Sequence, residues 1–167
     1  MQSNITKSAM VNGLIIGLLL SLKFLLSIQK NNFFTFITLF ISILIIVYMY
    51  KMTLKFRETE FGGVIKYGQA FKHVFLLYLY GAIISTLVIL IYTKYINVTY
   101  LDESLSSILK IYDSFKIPID DKTGEAMESV FKPIPYSFGN LFGSLFVATF
   151  WGLILAAFLK KEKNIFQ

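Results

Sequence analysis

The residues able to do chemistry are few in this sequence, and spacing joins almost none of them. With no cysteine, no disulfide, thiolate metal site or thiol nucleophile can form. The one histidine, His73, follows Lys72 at the edge of an apolar stretch. A lone histidine there reads as an interfacial hydrogen-bonding group rather than a metal ligand. All ten Asp and Glu residues fall outside the apolar stretches. The buried carboxylate that a proton-coupled carrier uses as its relay is therefore missing. No GxxxxGK[ST] phosphate loop, HExxH helix or GxSxG elbow occurs. These absences predict no enzyme, no metal and no cofactor.

Lys23 is the one charge set well inside an apolar stretch, Lys94 lying two residues from the end of the third. A lysine at a helix centre costs about 2.5–3.5 kcal/mol on insertion scales, and less near an end. Two readings stay open. Lys23 can snorkel to the nearby end of its helix, or it can be paired or functional. The second gains from geometry, because helical side chains lean toward the helix N-terminus, here toward the bilayer centre.

The elements that must carry these residues follow from composition. The 167 residues are 56% hydrophobic and 16% charged, with mean hydropathy +0.66. An ordinary soluble domain has about 25% charged residues, and a fold of this size has too little interior for so much Phe, Ile and Leu. A soluble globular domain, a disordered chain and a collagen-like chain are all excluded. Four stretches approach the roughly 20 apolar residues that a spanning helix needs: 9–28, 33–50, 75–96 and 138–159. The expected fold is a single all-α integral membrane domain with four transmembrane helices. An amphipathic helical segment, 97–136, connects the third and fourth. The first stretch follows Lys7 as a signal peptide would, but no small-residue cleavage site follows Lys23, so it reads as an uncleaved anchor.

Lys and Arg in short connections set orientation. Lys7, Lys51, Lys55, Arg57, Lys66, Lys72, Lys160, Lys161 and Lys163 fall on one side. On the other, Lys23, Lys30, Lys94 and the lysines of 97–136 are diluted by acids. Both termini are expected to be cytoplasmic, in an inner membrane. The net charge of +6 then serves topology and anionic headgroups. No basic stripe interleaved with stacking aromatics lies outside the spans, so nucleic acid is not an expected partner. The expected partners are the lipid bilayer and another membrane protein or a second copy of this chain.

Small residues give the sharpest packing signal. The first span reads Gly13, Gly17, Ser21 at steps of four, and the fourth reads Asn140, Ser144, Ala148, Gly152, Ala156. Small residues at i and i+4 let helix backbones approach where lipid removes any hydrophobic drive between helices. These eight positions are expected to pack against another helix. The second span has no glycine and should be the most lipid-exposed. In the connection, Leu101, Leu105, Ile108, Tyr112 and Phe115 recur at steps of four and three, which predicts an amphipathic helix ended by Ile117-Pro118. A shorter helix near Thr123 should follow and stop at Pro133.

The segment Gly62-Gly63-Val64-Ile65-Lys66-Tyr67-Gly68-Gln69-Ala70-Phe71 resembles the GG-x-I-x-[FY]-GQAF signature of the domain of unknown function 4199 family. The rest follows suit: a long helix ending near Ile96-Asn97, an acidic helical connection, and a last span closing at Lys160-Lys161. Lys66 stands where a small polar residue is expected. The resemblance covers essentially the whole chain and implies a small bacterial four-span inner-membrane protein; it carries no activity, cofactor or catalytic residue. Read from the residues alone, the glycines make a turn and Gln69 caps or bridges at the helix entry. A re-entrant turn holding an anion at the helix N-terminus is the other possibility.

The function expected is that of a non-enzymatic structural or accessory subunit acting through helix–helix contacts. The alternative is a small transporter or channel with a polar site among spans one and four, built from Asn12, Ser21, Lys23 and Asn140. The topology is directly testable. Single cysteines at Ser106 and Thr59 should react with an impermeant thiol reagent from opposite faces of sealed vesicles, and labelling from one face would exclude four crossings.

Overall fold

Unbroken runs of Leu, Ile and Phe with no interior proline favour continuous helix, and in lipid a backbone satisfies its own N–H and C=O groups only as helix or closed barrel. The computed structural model describes residues 2–29 and 31–161; Lys30 and Lys163 of the charge pattern lie outside them. Six α-helices follow in order: α1 (Gln2–Ser27), α2 (Asn32–Phe61), α3 (Tyr67–Ile91), α4 (Tyr100–Ser114), α5 (Asp121–Val130) and α6 (Pro133–Leu159). A π turn, Tyr92–Ile96, prolongs α3. Four helices are long and apolar enough to cross a membrane: Asn4–Ser27, Asn32–Phe61, Tyr67–Ile96 and Pro133–Leu159. The protein is an all-α membrane protein.

The helices outrun the apolar stretches. α2 continues through Lys51–Glu60, expected to be a connection, and only 62–66 join it to α3. The reason is a buried stripe that persists beyond the oily part: Ile41, Ile45, Met49, Thr53 and Phe56, at steps of four and then three. The rest of α2 is outward-facing, and its share of buried residues is the lowest of the four long helices. α6 begins at Pro133, earlier than the expected 138. Proline suits a first helical turn, where no N–H is needed and φ is already set.

Two compact units divide the chain, Met1–Ser85 with Gly143–Gln167, and Thr86–Phe142. In the first, α1 and α3 meet at glycine. A Cβ on Gly13 would stand 2.7 Å from Tyr80 Cβ, one on Gly17 2.7 Å from Ile84 Cβ, and one on Gly81 2.6 Å from Ile16 Cγ2 and 3.0 Å from Gly17 N. Glycine on both partners lets the backbones approach closely. α6 repeats the device against α3, where a Cβ on Gly152 would lie 3.0 Å from the Phe71 ring.

The α2–α3 turn has its own chemistry. Gly62 takes the left-handed conformation (φ +58) after α2, and the Gly63 N–H reaches back to Arg57 O at 3.1 Å, closing the helix C-terminus. Ile65 and Lys161 then exchange backbone hydrogen bonds, both 3.0 Å, which ties the turn to the end of α6.

In the second unit, Leu101 is buried and Leu105, Ile108 and Tyr112 are half-buried, while Phe115 is 73% exposed. Leu101, Leu105 and Leu109 line a cavity of about 440 Å³ with Glu128 and Phe131. Asp120 caps α5 by accepting from the Thr123 N–H at 3.2 Å. Hydrogen bonds from Thr123 hold this exposed carboxyl below its ordinary value.

The glycine contacts predict a graded response. Gly81→Leu and Gly152→Leu should each destabilise the detergent-solubilised protein by about 1–3 kcal/mol, the usual penalty of overpacking. Gly143→Ala, whose Cβ meets nothing within 4 Å, should leave the melting temperature unchanged or slightly raised. Equal melting of all three would show that these approaches carry no stability.

Candidate functional site

Two polar constellations lie inside the first unit, and each is assembled from several helices. The first centres on His73, which has no exposed surface. Ser8 Oγ of α1 lies 3.1 Å from its Nε2, and Thr53 Oγ1 of α2 lies 2.9 Å from its Nδ1. The Phe56 ring stacks on the imidazole at 4.2 Å between centroids and 6° between planes. A neutral imidazole offers one donor and one acceptor, and two hydroxyls satisfy both. Serine beside histidine has the geometry of a nucleophile and its base. Here, however, the third group is a threonine hydroxyl instead of a carboxylate, and the ring itself is fully buried. The arrangement fastens α1, α2 and α3 together.

Other bonds at this basic end act in the same sense. Arg57 Nη1 donates to Leu159 O at 3.0 Å, and its Nε and Nη2 donate to Glu58 Oε1. Asn4 Nδ2 donates to Glu60 Oε2 at 2.7 Å. Tyr67 OH donates to Leu153 O at 3.2 Å. Gln69 Oε1 accepts from the Lys66 N–H at 3.0 Å, which is the return half of a capping box at the start of α3. The motif that resembled a family signature thus closes one helix and opens the next.

The second constellation is a cavity of about 110 Å³ beside Lys23. Each of the four long helices contributes a polar side chain to its lining: Lys23 of α1, Ser42 of α2, Tyr78 of α3 and Trp151 of α6. Lys23 is half-buried. The single ion pair among the described residues is Arg57–Glu58, so no described carboxylate neutralises Lys23.

The expected packing residues fall as follows. Gly13 and Gly17 face α3. Ser21 is buried and donates to Gly17 O at 2.7 Å. On α6, Ala148, Gly152 and Ala156 are buried, Ser144 is half-buried, and Asn140 is exposed in the second unit. Asn12 accepts from Tyr48 OH at 3.3 Å and is not brought to the Lys23 cavity. Of the four residues expected to hold a transported substrate, only Lys23 lines that cavity. Among the described residues, no group of three His, Cys, Asp or Glu is placed to hold a metal.

Sequence reasoning missed Ser8, Thr53 and Phe56 around His73, and Ser42, Tyr78 and Trp151 around Lys23. One signal was available for Thr53 and Phe56, which continue the Ile41–Ile45–Met49 stripe at helical spacing. Removing one hydroxyl from the histidine should cost more than removing the whole network. Thr53→Val leaves Nδ1 buried without a partner and should cost about 1–3 kcal/mol. The triple variant Ser8→Ala, Thr53→Val, His73→Leu should melt above Thr53→Val alone. Additive losses across the three would mean that the hydrogen bonds do not act as a unit.

The family model described as Protein of unknown function (DUF4199) matches residues 12–161. No curated protein and no solved structure matches the chain. The matched length runs from Asn12 on α1 to Lys161 in the closing bridge and takes in Lys23, His73 and Gln69. The chain belongs to this family of proteins of unknown function, DUF4199.

Proposed function

We propose that this membrane protein is a non-enzymatic, multi-pass subunit of a bacterial inner membrane, structural or accessory in role, acting through helix–helix contacts. The observation that carries this reading is the enclosure of His73: the one histidine spends both ring nitrogens on holding helices together. The orientation proposed has both termini cytoplasmic. Its support is that Arg57, Lys66 and Lys161 belong to one end of the first unit, where the α2–α3 turn meets the end of α6, as the positive-inside bias requires.

The contacts sought from a partner are not those at Gly13, Gly17 and Gly152, which are filled within the chain. A surface left for a partner is the exposed aromatic face of α6, including Phe146 at 79% and Phe150 at 59% exposed; α2 exposes Phe33, Phe36 and Phe40 as well. A second reading, a small transporter or channel, draws on the cavity lined by Lys23.

Affinity purification from native membranes in mild detergent should recover a membrane protein in stoichiometric amount, or a defined multimer of this chain. Phe146→Ala with Phe150→Ala should reduce that recovery without lowering the melting temperature. A monomer with no companion, together with solute flux in reconstituted liposomes, would replace the subunit reading by the transport reading.

A further inference from the structure

We propose that the cavity beside Lys23 binds one small anion, a carboxylate or an inorganic oxyanion, within the apolar length of the helices. The charge argument comes first. Lys23 has no ion-pair partner among the described residues, and an unpaired ammonium within a span is costly enough that such residues mark binding sites. At 1.5 Å per residue, Lys23 is about 6 Å from the end of α1, and Ser42 is about 15 Å into α2. The lysine leans toward its own N-terminus, away from the nearer boundary and toward the level of Ser42.

The lining selects the sign of the ligand. The Lys23 ammonium, the Tyr78 hydroxyl and the Trp151 indole N–H have no hydrogen-bond partner among the described residues. Lysine and tryptophan can only donate, so they ask for an acceptor. Ser42 spends its hydrogen on Thr38 O at 2.9 Å. A cation would meet the ammonium and gain only the neutral oxygens of Ser42 and Tyr78 in exchange, whereas an anion meets the ammonium and the donors that share its lining. The wall is otherwise apolar, with Ile45 and Val147, which strengthens each charge-assisted bond.

Size narrows the class. A cavity of about 110 Å³ has room for several waters at roughly 10–15 Å³ each, hence for acetate, nitrate or phosphate, and not for a nucleotide. The donors come from α1, α3 and α6, so the seat exists only when the first unit is assembled. The anion can come from solution or be the phosphate of an anionic lipid headgroup. Neither source requires transport, so the proposal stands apart from both readings of the protein's role.

The test is thermal unfolding of the full chain in neutral detergent at constant ionic strength, with acetate, nitrate or phosphate titrated against gluconate. At least one small anion should raise the melting temperature saturably, by about 3–6 °C at tenfold excess over its dissociation constant. Gluconate, too large for the cavity, should not. Lys23→Met should abolish the shift. Tyr78→Phe and Trp151→Phe should weaken apparent affinity about 3- to 10-fold, and they carry the test if Lys23→Met does not fold. In lipid nanodiscs, stabilisation by phosphatidylglycerol alone, lost in the same variants, would identify the anion as a headgroup. The proposal is overturned if neither source stabilises the protein, or if the shift survives all three substitutions. It is equally overturned if a membrane protein leaves on Lys23→Met, because a partner's carboxylate then fills the seat.

Discussion

Helices surrounded by hydrocarbon gain nothing by hiding one oily face against another, because lipid tails are as apolar as leucine. What holds the first unit together must therefore be close approach and buried hydrogen bonding. Both are concentrated at few positions. The glycines Gly13, Gly17 and Gly81 bring α1 and α3 close enough for backbone to touch side chain. His73 adds the directional component, with a hydroxyl from each of two other helices in its reach. Dispersion sets how near the helices come, and the imidazole sets their register along one another.

The same economy explains the turn between α2 and α3. A connection of five residues, 62–66, between helices of 30 and 25 residues must reverse direction while leaving few backbone groups unpaired. Two glycines with positive φ, a capping glutamine and a two-bond bridge to Lys161 accomplish this. These features occupy one short stretch, which is why the stretch carries a recognisable pattern of residues.

Four helices were legible because twenty apolar residues have few ways to be anything else in a bilayer. Their ends were less so. Hydropathy falls sharply at Lys51, but helical hydrogen bonding does not, since Thr53 and Phe56 still carry the inward stripe of α2. Pro133 and Pro135 looked like breakers and turned out to belong to the first turn of α6, because a proline is disruptive only where an N–H is required. The sites were harder for a different reason. Ser8 and Thr53 are 65 and 20 residues from His73, and no local period links residues on separate helices. Lys23 stood out by its charge alone; its companions Tyr78 and Trp151 looked like ordinary apolar-span aromatics until the fold placed them around one cavity. Asn140, grouped by spacing with Ala148 and Gly152, is exposed, since a step of four specifies a face of a helix without saying how far a neighbour extends along it.

The bridge between Ile65 and Lys161, with Arg57 bound to Leu159 O across 102 positions of sequence, has a consequence for biogenesis. Ribosomes deliver the N-terminal helices first, so α1, α2 and α3 enter the membrane while α6 is still unmade. At about 5–20 residues per second, the guanidinium of Arg57 and the ring of Phe71 wait on the order of 5–20 s for their counterparts. A three-helix nascent species therefore precedes the finished bundle every time the chain is made. Its open flank, where Leu159 O and Gly152 are still missing, closes only when the last helix arrives.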